Sequence, residues 1–139
     1  MKILIVLANF YQNISDLLFD GATKRLQKCG YQYNFITVPG ALEIPTAIAI
    51  AEKHKIYSGY VALGCVIRGE TSHYDIVCNQ SAYGLTKLAL KHQLAIGNGI
   101  LTTENEEQAI VRADPKQLNK GAMAVDACIS LIKFKQNFS

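Results

Sequence analysis

Charge is scarce in this chain: 18% of its residues are charged and half are hydrophobic. That balance leaves two explanations open, a sheet buried on both faces or apolar surface covered by further copies of the chain. The net charge of +3 comes from scattered Lys and Arg. Lys116, Lys120, Lys133 and Lys135 thicken the C-terminal end without forming a run, which argues against nucleic acid as a partner. No uncharged stretch approaches the roughly 18 residues needed to span a bilayer, so no membrane association is expected. Met1–Val6 lacks the basic region and small-residue cleavage site of a signal peptide, and reads instead as a first strand. Cys29, Cys65, Cys78 and Cys128 form no C-x-x-C pair and have no nearby histidine at metal-ligand spacing. They read as reduced, mostly buried thiols of a cytoplasmic protein. There is no internal repeat, linker or second domain, so residues 1–139 are expected to form one domain around one core.

What is present is an alternation of strand-like and helix-like segments. Ile3–Ala8 is a continuous aliphatic run, as in a central parallel strand. Asn13 is the expected cap of a helix whose apolar face is Leu17, Leu18, Ala22 and Leu26, and Gly30 is placed to end it. Tyr31–Val38 reads as a second strand. A second helix starts near Ala41, since Pro45 is tolerable only in the first turn, and runs to about Lys55. Gly59–Val66 is the third strand. Tyr74–His92 is the third helix, with a stripe of Val77, Ala82, Leu85, Leu88 and Ala89. Ala95–Thr102 is a fourth strand interrupted by Gly97 and Gly99. Thr103 and Glu106 offer a capping box for a short helix to Arg112, broken by Asp114-Pro115. Asn119 is the expected cap of a last helix to about Phe134. The order predicts a three-layer α/β/α sandwich on a four-stranded parallel sheet. Its functional residues should lie where the loops Asn9–Asn13, Pro39–Glu43, Ile67–His73 and Thr102–Asn105 converge at the strands' carboxyl ends.

The stretch Gly64–Asp75 concentrates the chemistry. A strand ends in a polar turn and a helix begins, so free backbone N–H groups and a partial positive charge face outward, which suits a phosphate or carboxylate. Arg68 adds a cation, Thr71 and Ser72 add hydroxyls, and His73 adds a side chain that titrates near neutrality. An anionic substrate and a proton transfer are implied.

Four segments in order resemble the lumazine synthase family: Ala8-Asn9-Phe10 with Ile14; Val38-Pro39-Gly40-Ala41-Leu42-Glu43-Ile44-Pro45; Leu63 through Asp75; and Gly99–Asn105 with Gln108-Ala109, Arg112 and Asn119-Lys120-Gly121. A lone G-x-I-L-T would be weak, but the second and third segments together are specific, and the resemblance covers essentially the whole chain. It implies a flavodoxin-like fold and a transferase without metal or organic cofactor. That enzyme would condense 5-amino-6-ribitylaminouracil with 3,4-dihydroxy-2-butanone 4-phosphate to 6,7-dimethyl-8-ribityllumazine, phosphate and water, the penultimate step of riboflavin biosynthesis. It also implies a homopentamer with active sites between subunits. Decamers, icosahedral shells and a riboflavin synthase partner are the family's further options. Because the chain starts at its first core strand, without the arm usual in shell-forming relatives, a free pentamer is expected.

Carried over residue by residue, the resemblance assigns Phe10 to stacking on the pyrimidinedione and Gly40, Ala41, Leu42 and Glu43 to the ribityl and pyrimidine groups. Cys65, Val66 and Ile67 would form the pyrimidine wall, and Gly69, Glu70 and Thr71 would bind phosphate with Arg112. Lys120 would add supporting charge, and His73 would move protons. Structural alternatives stand beside these roles. Phe10 could close the core, Glu43 could serve the helix dipole at roughly 0.3–1 kcal/mol, and Arg112 could be a solvated helix-end arginine. Cys65 is not expected to be a nucleophile, since no acyl or thioester step needs one.

The chain departs from the family in two places. Phe10 is followed by Tyr11 where many relatives have Asn or His, so Tyr11 or Gln12 must supply any polar contact. Asn98 stands where many relatives contribute an aromatic ring from the neighbouring subunit, implying a hydrogen bond in place of a second stacking face. Among competing readings, an FMN binder needs a hydroxyl-rich loop after the first strand, which Asn9–Asn13 is not. A phospho-acceptor domain needs an aspartate at the end of the third strand, where Gly64-Cys65-Val66 has none. A catalytically dead member of the same family is the remaining alternative, and His73 and Arg112 argue against it.

Overall fold

In the computed structural model, which describes residues 1–139, four parallel strands alternate with five α-helices. They are β1 (Lys2–Ala8), α1 (Gln12–Lys28), β2 (Gln32–Val38), α2 (Ile44–Glu52, preceded by a 3-10 turn Ala41–Glu43), β3 (Gly59–Ile67), α3 (His73–His92), β4 (Ile96–Thr103), α4 (Glu106–Ala113) and α5 (Lys120–Asn137). The sheet order is β2-β1-β3-β4, all parallel.

The aliphatic run of β1 explains the layering. Successive side chains leave a strand on opposite faces. Ile3, Ile5 and Leu7 therefore enter one core with Leu18, Leu26, Ala109, Val125 and Ile129 of α1, α4 and α5. Leu4, Val6 and Ala8 enter a second core with Ile44, Ile48 and Leu85 of α2 and α3. Both faces of the sheet are covered, so the low charged fraction has its first cause in the fold. Ile50, Ile76, Tyr83 and Leu90 of α2 and α3 nevertheless stay more than half exposed.

Several local expectations are corrected. Gly97 and Gly99 do not interrupt β4, which runs through both in register with β3. They let α5 close on the sheet: a Cβ on Gly97 would stand 1.9 Å from the Ala124 carbonyl oxygen. Asn13 does not cap α1; its side chain donates instead to Glu106 Oε1 of α4 at 2.8 Å. The α4 cap is Asn105, whose Oδ1 accepts from Gln108 N at 2.9 Å, while Thr103 turns its hydroxyl to the Asn105 carbonyl. Asn119 sits at the N-cap of α5 with φ 52° but makes no side-chain cap bond, its Oδ1 being pressed against Gly21. On α3 the inward stripe takes Ser81 rather than Ala82, because the Ser81 hydroxyl donates to Cys78 O one turn back and can then be buried. Helix α2 ends at Glu52, and Gly30, with φ +79°, follows α1 as a left-handed residue.

Gly97→Ala should cost about 1–3 kcal/mol, the usual penalty for forcing atoms into a filled contact, because a backbone carbonyl rather than a flexible side chain blocks the added methyl. Urea denaturation checks this, and an unchanged midpoint would contradict the seating of α5 on β4.

Candidate active site

The chain passes from β1 outward to β2 and then returns to the other side of β1 as β3, so the crevice above β1 and β3 is a topological switch point. Three of the four carboxyl-end loops meet there around a cavity of about 370 Å³. The β1–α1 corner supplies Phe10 and Tyr11, and the β2–α2 turn supplies Pro39 to Glu43. The end of β3 supplies Cys65, Val66 and Ile67, and the first turns of α3 supply His73, Tyr74 and Val77. The fourth loop, Thr102–Asn105, does not line the cavity and so departs from the expected convergence. It reaches the site indirectly, as Arg68 N–H donates to Thr103 O at 2.9 Å and Arg68 Nε to Glu104 Oε2 at 2.6 Å.

Each wall has a local cause. The fully buried Ser15 hydroxyl bridges the β1–α1 corner, at 2.9 Å from Ala8 O and 3.0 Å from Tyr11 O. That bridge fixes the loop from which Phe10 projects, 73% exposed at the cavity mouth. Phe10 meets Tyr11 in a T-shaped contact, with centroids 5.0 Å apart, and most of its surface stays open to a flat ring. Burial, then the nearby Cys65 and Glu106, hold the Tyr11 phenol above its ordinary range, so it stays a neutral hydrogen-bonding group. Gln12 is occupied on Asp16, at 2.6 Å. Gly40 is extended, and a Cβ there would stand 3.3 Å from Glu43 Oε1, so the missing side chain opens space beside that carboxylate. Glu43 is exposed and in no ion pair.

In the turn before α3, none of the amides of Gly69, Glu70, Thr71 and Ser72 donates to a backbone oxygen, and all four residues are exposed. The Thr71 hydroxyl accepts from His73 N–H at 3.3 Å, holding the turn against the start of α3. Arg68 is not the free cation expected there: besides Glu104 it lies 3.6 Å from Asp75 Oδ1, and its guanidinium covers the Tyr74 ring at 4.3 Å. Asn98, Arg112 and Lys120 do not line this chain's own cavity. Asn98, exposed on β4, accepts from Ile100 N–H through its Oδ1, Arg112 Nη1 donates to Gln108 O on α4, and Lys120 begins α5. His54 and His92 are exposed, away from the site. No group of three or more His, Cys, Asp or Glu is arranged to hold a metal ion.

Sequence reasoning passed over Tyr74, Val77 and Ser15. The first two were within reach, since Val77 stands four residues beyond His73 and three beyond Tyr74, spacings that bring side chains together on a helix. Ser15 carried no signal, because its bond to Ala8 depends on how α1 folds back on β1.

Burial pushes the Cys65 thiol up to about 11, so at neutral pH it is a protonated apolar wall rather than a nucleophile. Iodoacetamide at neutral pH should therefore label exposed Cys29 well ahead of Cys65, with Cys65 labelling rising as the pH approaches that value. Mass spectrometry of tryptic peptides checks this, and equal labelling of the two would contradict it.

A family model described as 6,7-dimethyl-8-ribityllumazine synthase matches residues 1–136. Among curated relatives, a 6,7-dimethyl-8-ribityllumazine synthase of Bartonella tribocorum is 58% identical over 137 residues, covering 98% of this chain and 91% of the relative. One of Novosphingobium aromaticivorans is 52% identical over 138 residues, covering 99% of both chains. A protein of Rhizobium meliloti named 6,7-dimethyl-8-ribityllumazine synthase 1 is 52% identical over 141 residues, covering 98% of this chain and 92% of the relative. With the family model matching residues 1–136 and relatives similar from end to end, the chain belongs to the 6,7-dimethyl-8-ribityllumazine synthase family.

Proposed function

We propose that this chain is a lumazine synthase. It condenses 5-amino-6-ribitylaminouracil with 3,4-dihydroxy-2-butanone 4-phosphate to 6,7-dimethyl-8-ribityllumazine, phosphate and water, in riboflavin biosynthesis. The observation that carries the reading is one cavity holding Phe10, Glu43 and His73 together, in a chain matched by the family model over residues 1–136.

The chemistry assigns each wall a task. The pyrimidinedione stacks on the exposed ring of Phe10, against the apolar edge formed by Cys65, Val66 and Ile67, with the Tyr11 phenol as the polar neighbour. Glu43 accepts hydrogen bonds from ribityl hydroxyls over the space left by Gly40, with Ala41 and Leu42 completing that wall. The free amides of residues 69–72 and the Thr71 hydroxyl take the phosphate, as an uncommitted helix start does for anions. The substrate amine then adds to the ketone, water leaves to give an imine, phosphate departs and the ring closes. Each step moves a proton, and His73 is the titratable cavity side chain nearest the phosphate turn. Holding two substrates in reacting geometry contributes several kcal/mol in its own right.

The assembly is a homopentamer in this reading. Support comes from α3, where Ile76, Tyr83 and Leu90 recur every seven residues and remain 53%, 59% and 74% exposed, an apolar stripe that a helix presents to a partner. Asn98, Arg112 and Lys120, outside their own chain's cavity, then complete the cavity of a neighbour, Arg112 by charge-assisted bonds to phosphate. We assign the protein to the cytoplasm, its cysteines being free thiols.

Mixing both substrates with purified protein should release phosphate and develop lumazine absorbance faster than the uncatalysed condensation. Binding without product above that background would instead indicate a catalytically dead family member. His73→Ala should lower turnover roughly 10²-fold, the low end for a lost acid–base group, while leaving measurable activity from substrate orientation. Unchanged turnover with both substrates saturating would remove His73 from the role.

A further inference from the structure

The Arg68 guanidinium is the most heavily engaged side chain around the site, and the reaction as described does not use it. Its position follows from the ladder: Ile67 pairs with Thr103 at the end of β3 and β4, and Arg68 N–H extends that pairing by donating to Thr103 O at 2.9 Å. From there the side chain turns away from the cavity. Its Nε donates to Glu104 Oε2 at 2.6 Å, its Nη1 lies 3.6 Å from Asp75 Oδ1, and its plane covers the cavity-lining ring of Tyr74 at 4.3 Å. One cation thus faces two carboxylates, and the corner has no surplus positive charge to offer a phosphate.

Its three contacts lie on different pieces of the site. Asp75 and Tyr74 belong to the first turn of α3, which His73 begins. Glu104 belongs to the β4–α4 corner, and that corner orients α4. Glu104 N–H donates to Gln108 Oε1 at 2.8 Å, and Arg112 Nη1 donates to Gln108 O at 3.0 Å. The exposed amides of residues 69–72 hang between these anchors.

We propose that Arg68 is a positioning residue for the phosphate substrate. By pairing with Glu104 and Asp75 and stacking on Tyr74, it clamps the amide-presenting turn and the start of α3 to the helix that carries Arg112. The proposal rests on the condensation activity assigned above. The planar fork of arginine serves two acceptors and an aromatic face at once, which an ammonium does not do. The side chains of the clamp are 41% to 57% exposed, so their ion pairs add little to global stability. A turn released by a fraction of an ångström nevertheless presents its amides wrongly to the phosphate, and small misplacements are costly for reacting groups.

The test compares Arg68→Met, Arg68→Lys, Glu104→Gln and the double variant Arg68→Met/Glu104→Gln by steady-state kinetics in both substrates and by thermal melting. A clamp gives a roughly tenfold loss of kcat/KM for the butanone phosphate in Arg68→Met and in Glu104→Gln, and a double variant no worse than the poorer single one. KM for the uracil substrate stays unchanged, melting shifts by less than about 2 °C, and Arg68→Lys does not restore activity. If Glu104→Gln is neutral or improved while Arg68→Met loses phosphate-substrate affinity, Arg68 touches the phosphate directly and the proposal fails. Equal losses for both substrates with a lowered melting temperature would make the role structural and also overturn it. Binding of inorganic phosphate, followed by phosphorus NMR, should weaken in the same variants without any turnover. An inactive wild type would therefore refute the assigned activity while the phosphate titration still decided the clamp.

Discussion

Two hydrogen-bonded ladders hold β1 between β2 and β3, and that pairing determines where every functional side chain can stand. Because β1 is apolar on both faces, it cannot move to an edge without exposing one of its two cores. With β1 central, the chain must reverse its direction of travel across the sheet, and the crevice opens where it does so. Phe10, the Gly40–Glu43 turn, the end of β3 and His73 at the start of α3 all line that crevice. The cavity is a product of strand order before it is a product of any particular side chain.

Around that crevice the polar groups divide into committed and uncommitted sets. Gln12, Asn13, Arg68 and Asn98 have partners within the chain. Glu43 and the amides of residues 69–72 do not. A polar group left without a partner at a concave surface is bonded to water until something better arrives, so the uncommitted set outlines what is bound. In the proposed reading it matches hydroxyls beside Glu43 and an anion beside the start of α3, with an aromatic ring and apolar atoms between them. Those are the three parts of the paired substrates of the family reaction.

The strands and the order of the elements were legible because their signal is local. Ile3–Ala8 and Gly59–Val66 are continuous apolar runs of strand length, and nothing distant was needed to recognise them. The walls of the cavity were legible through family motifs rather than through periodicity. Errors fell where a short polar side chain had a choice of partners. Asn13 reached across to Glu106 on α4, Asn119 was pressed against Gly21, and the cap of α4 moved from Thr103 to Asn105. For Asn13 and Asn119 a tertiary contact outweighed a local preference worth about 1 kcal/mol, whereas at α4 one local cap replaced another. Arg68 is the most instructive miss, since a cation in a turn of free amides invites an obvious role, and only the positions of Glu104, Asp75 and Tyr74 reveal its occupation. The fourth loop was expected at the cavity for a sound topological reason but does not line it, and it meets Arg68 instead.

The glycines of β4 have one more consequence. By drawing α5 tightly onto the sheet they enclose Cys128, whose thiol is fully buried, donates to Ala95 O at 3.4 Å and is pushed up to about 12 by burial. A Cβ on Gly59 would stand 2.6 Å from that sulfur, so no reagent can approach from the strand side. Cys128 becomes accessible only when α5 lifts away from β3 and β4. The chain thus carries its own gauge of breathing, a sulfur whose rate of modification counts openings of the sheet–helix seam independently of anything that happens at the crevice.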